Sequence, residues 1–291
     1  MPFKYFSLIL MSAALLSAGD DYKFGPDSEE VPGNPKGTVS EYKFTESKIY
    51  PGTSRSYWIY LPPHFSAETE YPLVIFTDGG GVVNTKGQFR APLVFDNLIA
   101  KKDLPPLVGL FINPGEVPAI ATGTRGRSTR SFEYDTPDDT CARFFIDEMI
   151  PLVANVAKIS AKPEDRAVCG ISSGGICAFN AAWHRPDAFR KVISGIGSFT
   201  NIRGGVWFPA AIRKTERKPL RIFMQEGSAD LDNVHGNWPI GNQDLAAALR
   251  FAGYDFKFVL GDGGHSGKPV SYTHLRAHET KANLVCRLLL E

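Results

Sequence analysis

The sequence is poor in cysteine, has almost no charge imbalance, and past residue 18 holds no apolar run long enough to span a bilayer. Its four cysteines are Cys141, Cys169, Cys177 and Cys286, and no Cys/His cluster has metal-ligand spacing, so no metal is expected. Basic and acidic residues number 32 and 31, for a net charge of +1, which gives no basis for a nucleic-acid or other polyanionic partner. Internal repeats and a second domain are also lacking. What remains is ordinary globular composition, 43% hydrophobic and 22% charged, at a length that suits one large α/β domain.

Residues 1–18 read as a secretory signal. Lys4 supplies the positive start, Phe6 to Leu16 is nearly all apolar, and Ser17, Ala18 and Gly19 offer a cleavage site. The expected location is therefore secreted or periplasmic. Residues 19–41 form a polar leader whose stretch Asp20–Gly37, with Pro26, Pro32 and Pro35, is expected to be mobile.

From there strand and helix patterns alternate. Ser54–Leu61 alternates apolar and polar side chains, and Pro62–Pro63 ends it. Tyr71–Thr77 and Leu107–Ile112 are continuous apolar runs, as expected for strands buried on both faces. Arg166–Ile171, Lys191–Ile196, Leu220–Gln225 and Phe256–Leu260 are further strands. Helices are predicted over Ala91–Ala100, Thr140–Ala157 (interrupted at Pro151), Ser173–His184, Val206–Thr215 and Asn242–Ala252, the last capped by Asn242. This alternation implies an α/β fold with a mostly parallel central sheet and helices on both faces. Cys169 and Cys177 then fall in the core as small apolar residues.

The chemistry centres on Gly170-Ile171-Ser172-Ser173-Gly174-Gly175, a G-x-S-x-G pattern between a predicted strand and helix. A sharp turn there lifts a nucleophilic Ser172 hydroxyl above the sheet, and side chains at Gly170 or Gly174 would clash with the turn. Ser173 is a poorer nucleophile candidate, because the pattern centred on it would need glycine where Ile171 stands. A serine hydroxyl needs a base. His265, in a glycine-rich loop after the last strand, is better placed than His64, His184 or His235. An acid is expected on the loop after Leu220–Gln225. Asp230 is the first choice, with Glu226 and Asp232 as alternatives. The order serine, acid, histidine is that of α/β-hydrolases. The oxyanion hole is expected from the backbone of Ser173 with Gly80 or Gly81, which follow an early strand.

These stretches carry a family likeness. From about Tyr42 to Lys268 the chain resembles the Putative esterase family, which includes enterochelin, feruloyl and acetyl-xylan esterases, through GISSGG, QEGSADLD and GDGGHSGK. The resemblance implies an α/β-hydrolase esterase domain over 42–269 and no cofactor, with Ser172, Asp230 and His265 as its triad. The substrate would be a small-molecule or carbohydrate-linked ester. Arg130 and Glu133, in a family-like RSFEY element, and Trp238 become candidate substrate contacts. Trp207 and Phe208 hint at a phenolic or sugar-binding face. Acyl transfer on the same triad, or a non-catalytic binding role, are the alternatives. Supplying an acceptor alcohol separates the first from hydrolysis, and fluorophosphonate labelling of Ser172 excludes the second.

Residues 270–291 are expected to have a different origin. Ser271–Thr280, SYTHLRAHET, resembles the in-frame translation of a transposase-type sequencing adapter, TCT TAT ACA CAT CTC CGA GCC CAC GAG AC, and Leu284–Leu290 resembles its outer end. His274, His278 and Cys286 accordingly carry no weight here. The closing helix that relatives have after the GHSGK loop is expected to be missing.

Overall fold

The computed structural model describes residues 24–119 and 126–267. The expected signal and the adapter-like tail, including any closing helix, lie outside the described residues.

The fold is α/β, built on one eight-stranded sheet. Its strands are β1 (Thr38–Phe44), β2 (Arg55–Leu61), β3 (Leu73–Thr77), β4 (Val108–Ile112), β5 (Arg166–Ile171), β6 (Lys191–Gly195), β7 (Arg221–Gly227) and β8 (Asp255–Gly261). They lie in the order β1-β2-β4-β3-β5-β6-β7-β8. β1 and β2 pair antiparallel, as do β2 and β4, and every other neighbour is parallel. The continuous apolar runs become the strands buried on both sides: every residue of β3 and β4 is buried.

Among the described residues the α-helices are α1 (Gly79–Val83), α2 (Ala91–Ala100), α3 (Arg130–Asp135), α4 (Thr140–Arg143), α5 (Ile150–Ala154), α6 (Ser173–His184), α7 (Phe208–Lys214) and α8 (Trp238–Phe251). Alternate side chains of β3 divide the core. Leu73 and Ile75 pack with Phe144, Phe179 and Leu249 on one face, whereas Val74 and Phe76 pack with Val94, Phe95 and Leu98 of α2 on the other. The predicted Thr140–Ala157 helix runs unbroken to Ala154: α4 passes into a π-helical segment over Phe144–Met149 and on into α5, where Pro151 has no N–H to give to the ladder. Cys169 and Cys177 are buried, free thiols in the core.

Two expectations need correction. Residues 24–37 are held against α2 and are not a loose leader. Asn97, 1% exposed, donates to the carbonyls of Asp27 and Glu29 at 2.9 and 2.8 Å, Asp27 pairs with Lys101, and the Arg90 guanidinium covers the Phe24 ring. The polar composition concealed this because the bonds come from the backbone. The last helix starts at Trp238, a turn before the expected Asn242, with Asn237 as its cap accepting from the Ile240 N–H at 2.9 Å. Pro239 in the first turn was the overlooked signal.

Candidate active site

The parallel strands end together along one edge of the sheet, and the segments after β3, β5, β6, β7 and β8 gather there. In open α/β sheets this carboxyl edge is where ligands bind. The turn from β5 into α6 carries Ser172 in a strained conformation, φ 56° and ψ −126°. Glycine is needed on both sides of it. A Cβ on Gly170 would overlap the Gly174 carbonyl, and a Cβ on Gly174 would overlap the Thr77 hydroxyl. The Ser172 N–H donates to the Gly195 carbonyl at 3.0 Å, and the Ser198 N–H donates to the Ser172 carbonyl at 3.1 Å, so the elbow is tied to the end of β6.

The loops after β7 and β8 are stitched to each other. Ser228 N–H donates to Gly261 O at 2.8 Å, and Ala229 N–H donates to Gly263 O at 3.0 Å. This brings Asp230 and His265 together. His265 Nδ1 lies 2.6 Å from Asp230 Oδ1, and its Nε2 lies 2.9 Å from Ser172 Oγ. The three expected residues thus form one unbroken chain of hydrogen bonds. Of the alternative acids, Glu226 is buried beneath the loop and Asp232 is exposed. Burial pushes the Asp230 carboxyl up, but bonds from His265, Glu226 and the Leu231 N–H outweigh it and hold the group below its ordinary value. Burial, reinforced by Asp230, pushes Glu226 up to about 10.

The expected oxyanion donors are differently placed. Gly81 N–H is turned into α1, donating to Asp78 O at 3.0 Å, and Gly80 N–H donates to the Asn113 side-chain oxygen at 2.9 Å. Ser173 N–H opens α6, where the first turn has no intrahelical acceptors.

The candidate substrate contacts are largely redirected. Arg130 lies near the elbow but is clamped in a two-point pair to Asp78, at 2.7 and 2.8 Å. Glu133 is no surface residue: it forms a fully buried two-point pair with Arg55 at 2.6 and 3.0 Å and also accepts from Gly115 N–H and Thr129. Its partner lies far away in sequence, which is why no local pattern announced it. Trp238 is 3% exposed and packs its ring edge-on to His265, with its indole N–H donating to Ser198 Oγ at 3.2 Å. Phe208 is core, whereas Trp207 is exposed.

Two features were missed from sequence. Ser198 Oγ stands 3.4 Å from Ser172 Oγ, and its place in a Gly-Ser turn after a strand was a usable clue. A cavity of about 540 Å³ is lined by Arg127, Phe132, Arg203 and Ser131, among others. Ser131 also faces the Arg203 guanidinium, whose Nε lies 3.4 Å from its Oγ. No sequence signal marks that cavity, because its walls come from separate segments.

A serine raised on a strand–helix turn at the carboxyl edge of a mostly parallel sheet, with helices on both faces, defines an α/β-hydrolase fold. The chain belongs to the Putative esterase family, which it matches over residues 49–251. It is 28% identical over 236 residues to an Iron(III) enterobactin esterase of Dickeya dadantii, covering 72% of this chain and 48% of that protein. It therefore spans about half the length of that curated relative. The enterobactin esterase structure of Shigella flexneri superposes with a TM-score of 0.65 at 24% identity, covering 88% of this chain and 61% of that one. A ferulic acid esterase superposes with the same TM-score of 0.65 at 17% identity, covering 88% of this chain and all of the other, and both likenesses are of fold.

Proposed function

We propose that this chain is a secreted serine esterase that hydrolyses a carboxylic ester through an acyl-enzyme, with Ser172, His265 and Asp230 as its triad. The observation that carries the reading is the hydrogen-bonded line from Ser172 Oγ through both nitrogens of His265 to Asp230. His265 Nε2 takes the hydroxyl proton as Oγ attacks the ester carbonyl. Asp230 fixes the ring tautomer and stabilises the imidazolium that forms. The tetrahedral intermediate collapses as the imidazolium returns that proton to the departing alcohol. Water, deprotonated by the same ring, then attacks the acyl-serine and releases the acid.

Ser173 N–H is one donor to the developing oxyanion. Gly80 N–H is the second, once the substrate oxygen displaces Asn113 from it. Gly81 is left out, because its N–H belongs to the α1 turn. Export rests on the apolar stretch from Phe6 to Leu16, and no described helix is long and apolar enough to cross a membrane.

Relatives named for enterobactin and ferulic acid esters direct the substrate search to aromatic esters. The Arg203 guanidinium over the Phe132 ring, with Arg127 lining the same cavity, suits a phenolic or negatively charged partner. The deciding experiment is Ser172→Ala with a chromogenic acyl ester and a fluorophosphonate probe. Turnover is expected to fall by about a millionfold in kcat, and labelling to vanish. Turnover retained by the variant rejects the reading. Feruloyl, acetyl-sugar and catecholate esters, compared on the wild type, then rank the substrates.

A further inference from the structure

Beneath the triad lies a second carboxyl group that the mechanism above does not use. Glu226, at the end of β7, has no solvent exposure. One of its oxygens accepts from the Gly227 N–H at 2.8 Å, and the other meets the side-chain nitrogen of Asn242 on α8. That nitrogen carries two hydrogens and also faces two backbone carbonyls, Gly197 O at 2.7 Å and Trp238 O at 3.1 Å. Little of it is left to neutralise a buried carboxylate.

Asp230 shows the complementary deficit. Its Oδ1 is engaged by His265 Nδ1 at 2.6 Å and the Leu231 N–H at 2.5 Å. Its Oδ2 is fully buried and receives no hydrogen from any amide, hydroxyl or ring among the described residues. The group that hydrogen-bonds the Asp230 side chain from behind is the carboxyl of Glu226. Of two carboxyl groups sharing one site, one keeps its proton, because like charges so close oppose a second ionisation. His265 stabilises the ionised form of Asp230, so the shared proton resides on Glu226.

We propose that Glu226 is a positioning residue of the Ser172 site: a neutral carboxylic acid whose O–H donates to Asp230 Oδ2 and fixes the carboxylate that holds His265. The proposal rests on the triad reading above. Asp230 is the charged neighbour of Glu226, and His265 stands on the far side of Asp230. From α8 comes the uncharged Asn242, and from the last residue of β7 the Gly227 N–H. The arrangement gives each Asp230 oxygen a donor, leaving the carboxylate little freedom to rotate away from the ring.

The full-length protein carries the test in E226Q and E226L. Glutamine keeps the donor to Asp230 and the acceptor for Gly227 and gives up only the bond from Asn242, whereas leucine removes the donor as well. E226L is expected to lower kcat by about tenfold to a hundredfold with little change in KM. E226Q is expected to recover most of that loss. The wild type should lose activity above the pH at which Glu226 ionises, and E226Q should lack that alkaline limb. Infrared spectra at neutral pH supply a readout apart from turnover: a protonated-carboxyl carbonyl band present in the wild type and absent in E226Q. Wild-type kcat in E226L, or no such band in the wild type, overturns the proposal. Should E226L not fold, the band and its loss in E226Q decide alone. An inactive Ser172→Ala alongside either negative result would leave the serine-esterase reading standing.

Discussion

Gly227 and Gly263 lie so close that a Cβ on the first would overlap the carbonyl of the second. This contact lets the acid loop and the histidine loop share two backbone hydrogen bonds and places Asp230 against His265. Gly227→Ala should force the loops apart while leaving the sheet intact. Displacement of catalytic groups by about 1 Å costs on the order of a hundredfold in rate. We expect a kcat loss of that size with a folded circular dichroism spectrum, and wild-type turnover would show that the loops yield without disturbing the site.

Asp230→Asn keeps the shape of the acid but removes its charge and lets the imidazole adopt the wrong tautomer. In a comparable triad this change cost about ten-thousandfold in kcat. A similar loss is expected here. Asp232→Asn, in an exposed two-residue hairpin strand, should change kcat less than about twofold, which steady-state kinetics on the pair will show.

Asn113→Asp tests the oxyanion assignment. It places a carboxylate where an amide oxygen now accepts from Gly80 N–H. Negative charge beside the developing oxyanion opposes the transition state, and losing one oxyanion donor costs about a hundredfold or more in kcat. The expected signature is a fall in kcat with KM nearly constant. An unaltered kcat would remove Gly80 from the hole.

Glu133→Ala separates a structural role from substrate contact. It leaves the Arg55 cation buried and unpaired, a change that costs about 3–5 kcal/mol. Denaturant unfolding should reveal that loss. The KM of the remaining folded enzyme should stay close to wild type, whereas a substrate contact would raise it.

The raised Glu226 carboxyl sets a pH dependence of stability. Its folded value of about 10 lies above the ordinary 4.5, so the folded state keeps a proton that the unfolded chain releases. That contribution is fully present below 4.5 and is lost as pH rises towards 10. Thermal unfolding between those limits should therefore show Tm falling with pH, and E226Q should flatten the slope. A wild-type slope retained in E226Q would assign the effect to other groups.

Much of this site was legible because its signals are local. RAVCGI became β5 with the expected bounds, and the glycines around Ser172 are required by contacts within the turn and to its neighbouring strand. His265 and Asp230 were legible from their positions after successive strands. What stayed hidden depends on partners distant in sequence. The Glu133–Arg55 pair joins residues 78 apart, and Asn242 left its expected cap position to bond Glu226 in the interior. Glycine content after β3 suggested open donors at Gly80 and Gly81, but the short helix α1 and Asn113 already use those N–H groups.

The brace that residues 24–37 form across α2 bears on how this protein is trimmed for laboratory work. Its composition invites removal as a floppy preface. Cutting at Thr38 would strip the carbonyl acceptors from Asn97 and the carboxylate from Lys101, leaving a buried amide without company beside the core. Shortened versions that begin before Phe24 keep this clamp, and so keep the helix behind β3 and β4 in its seat.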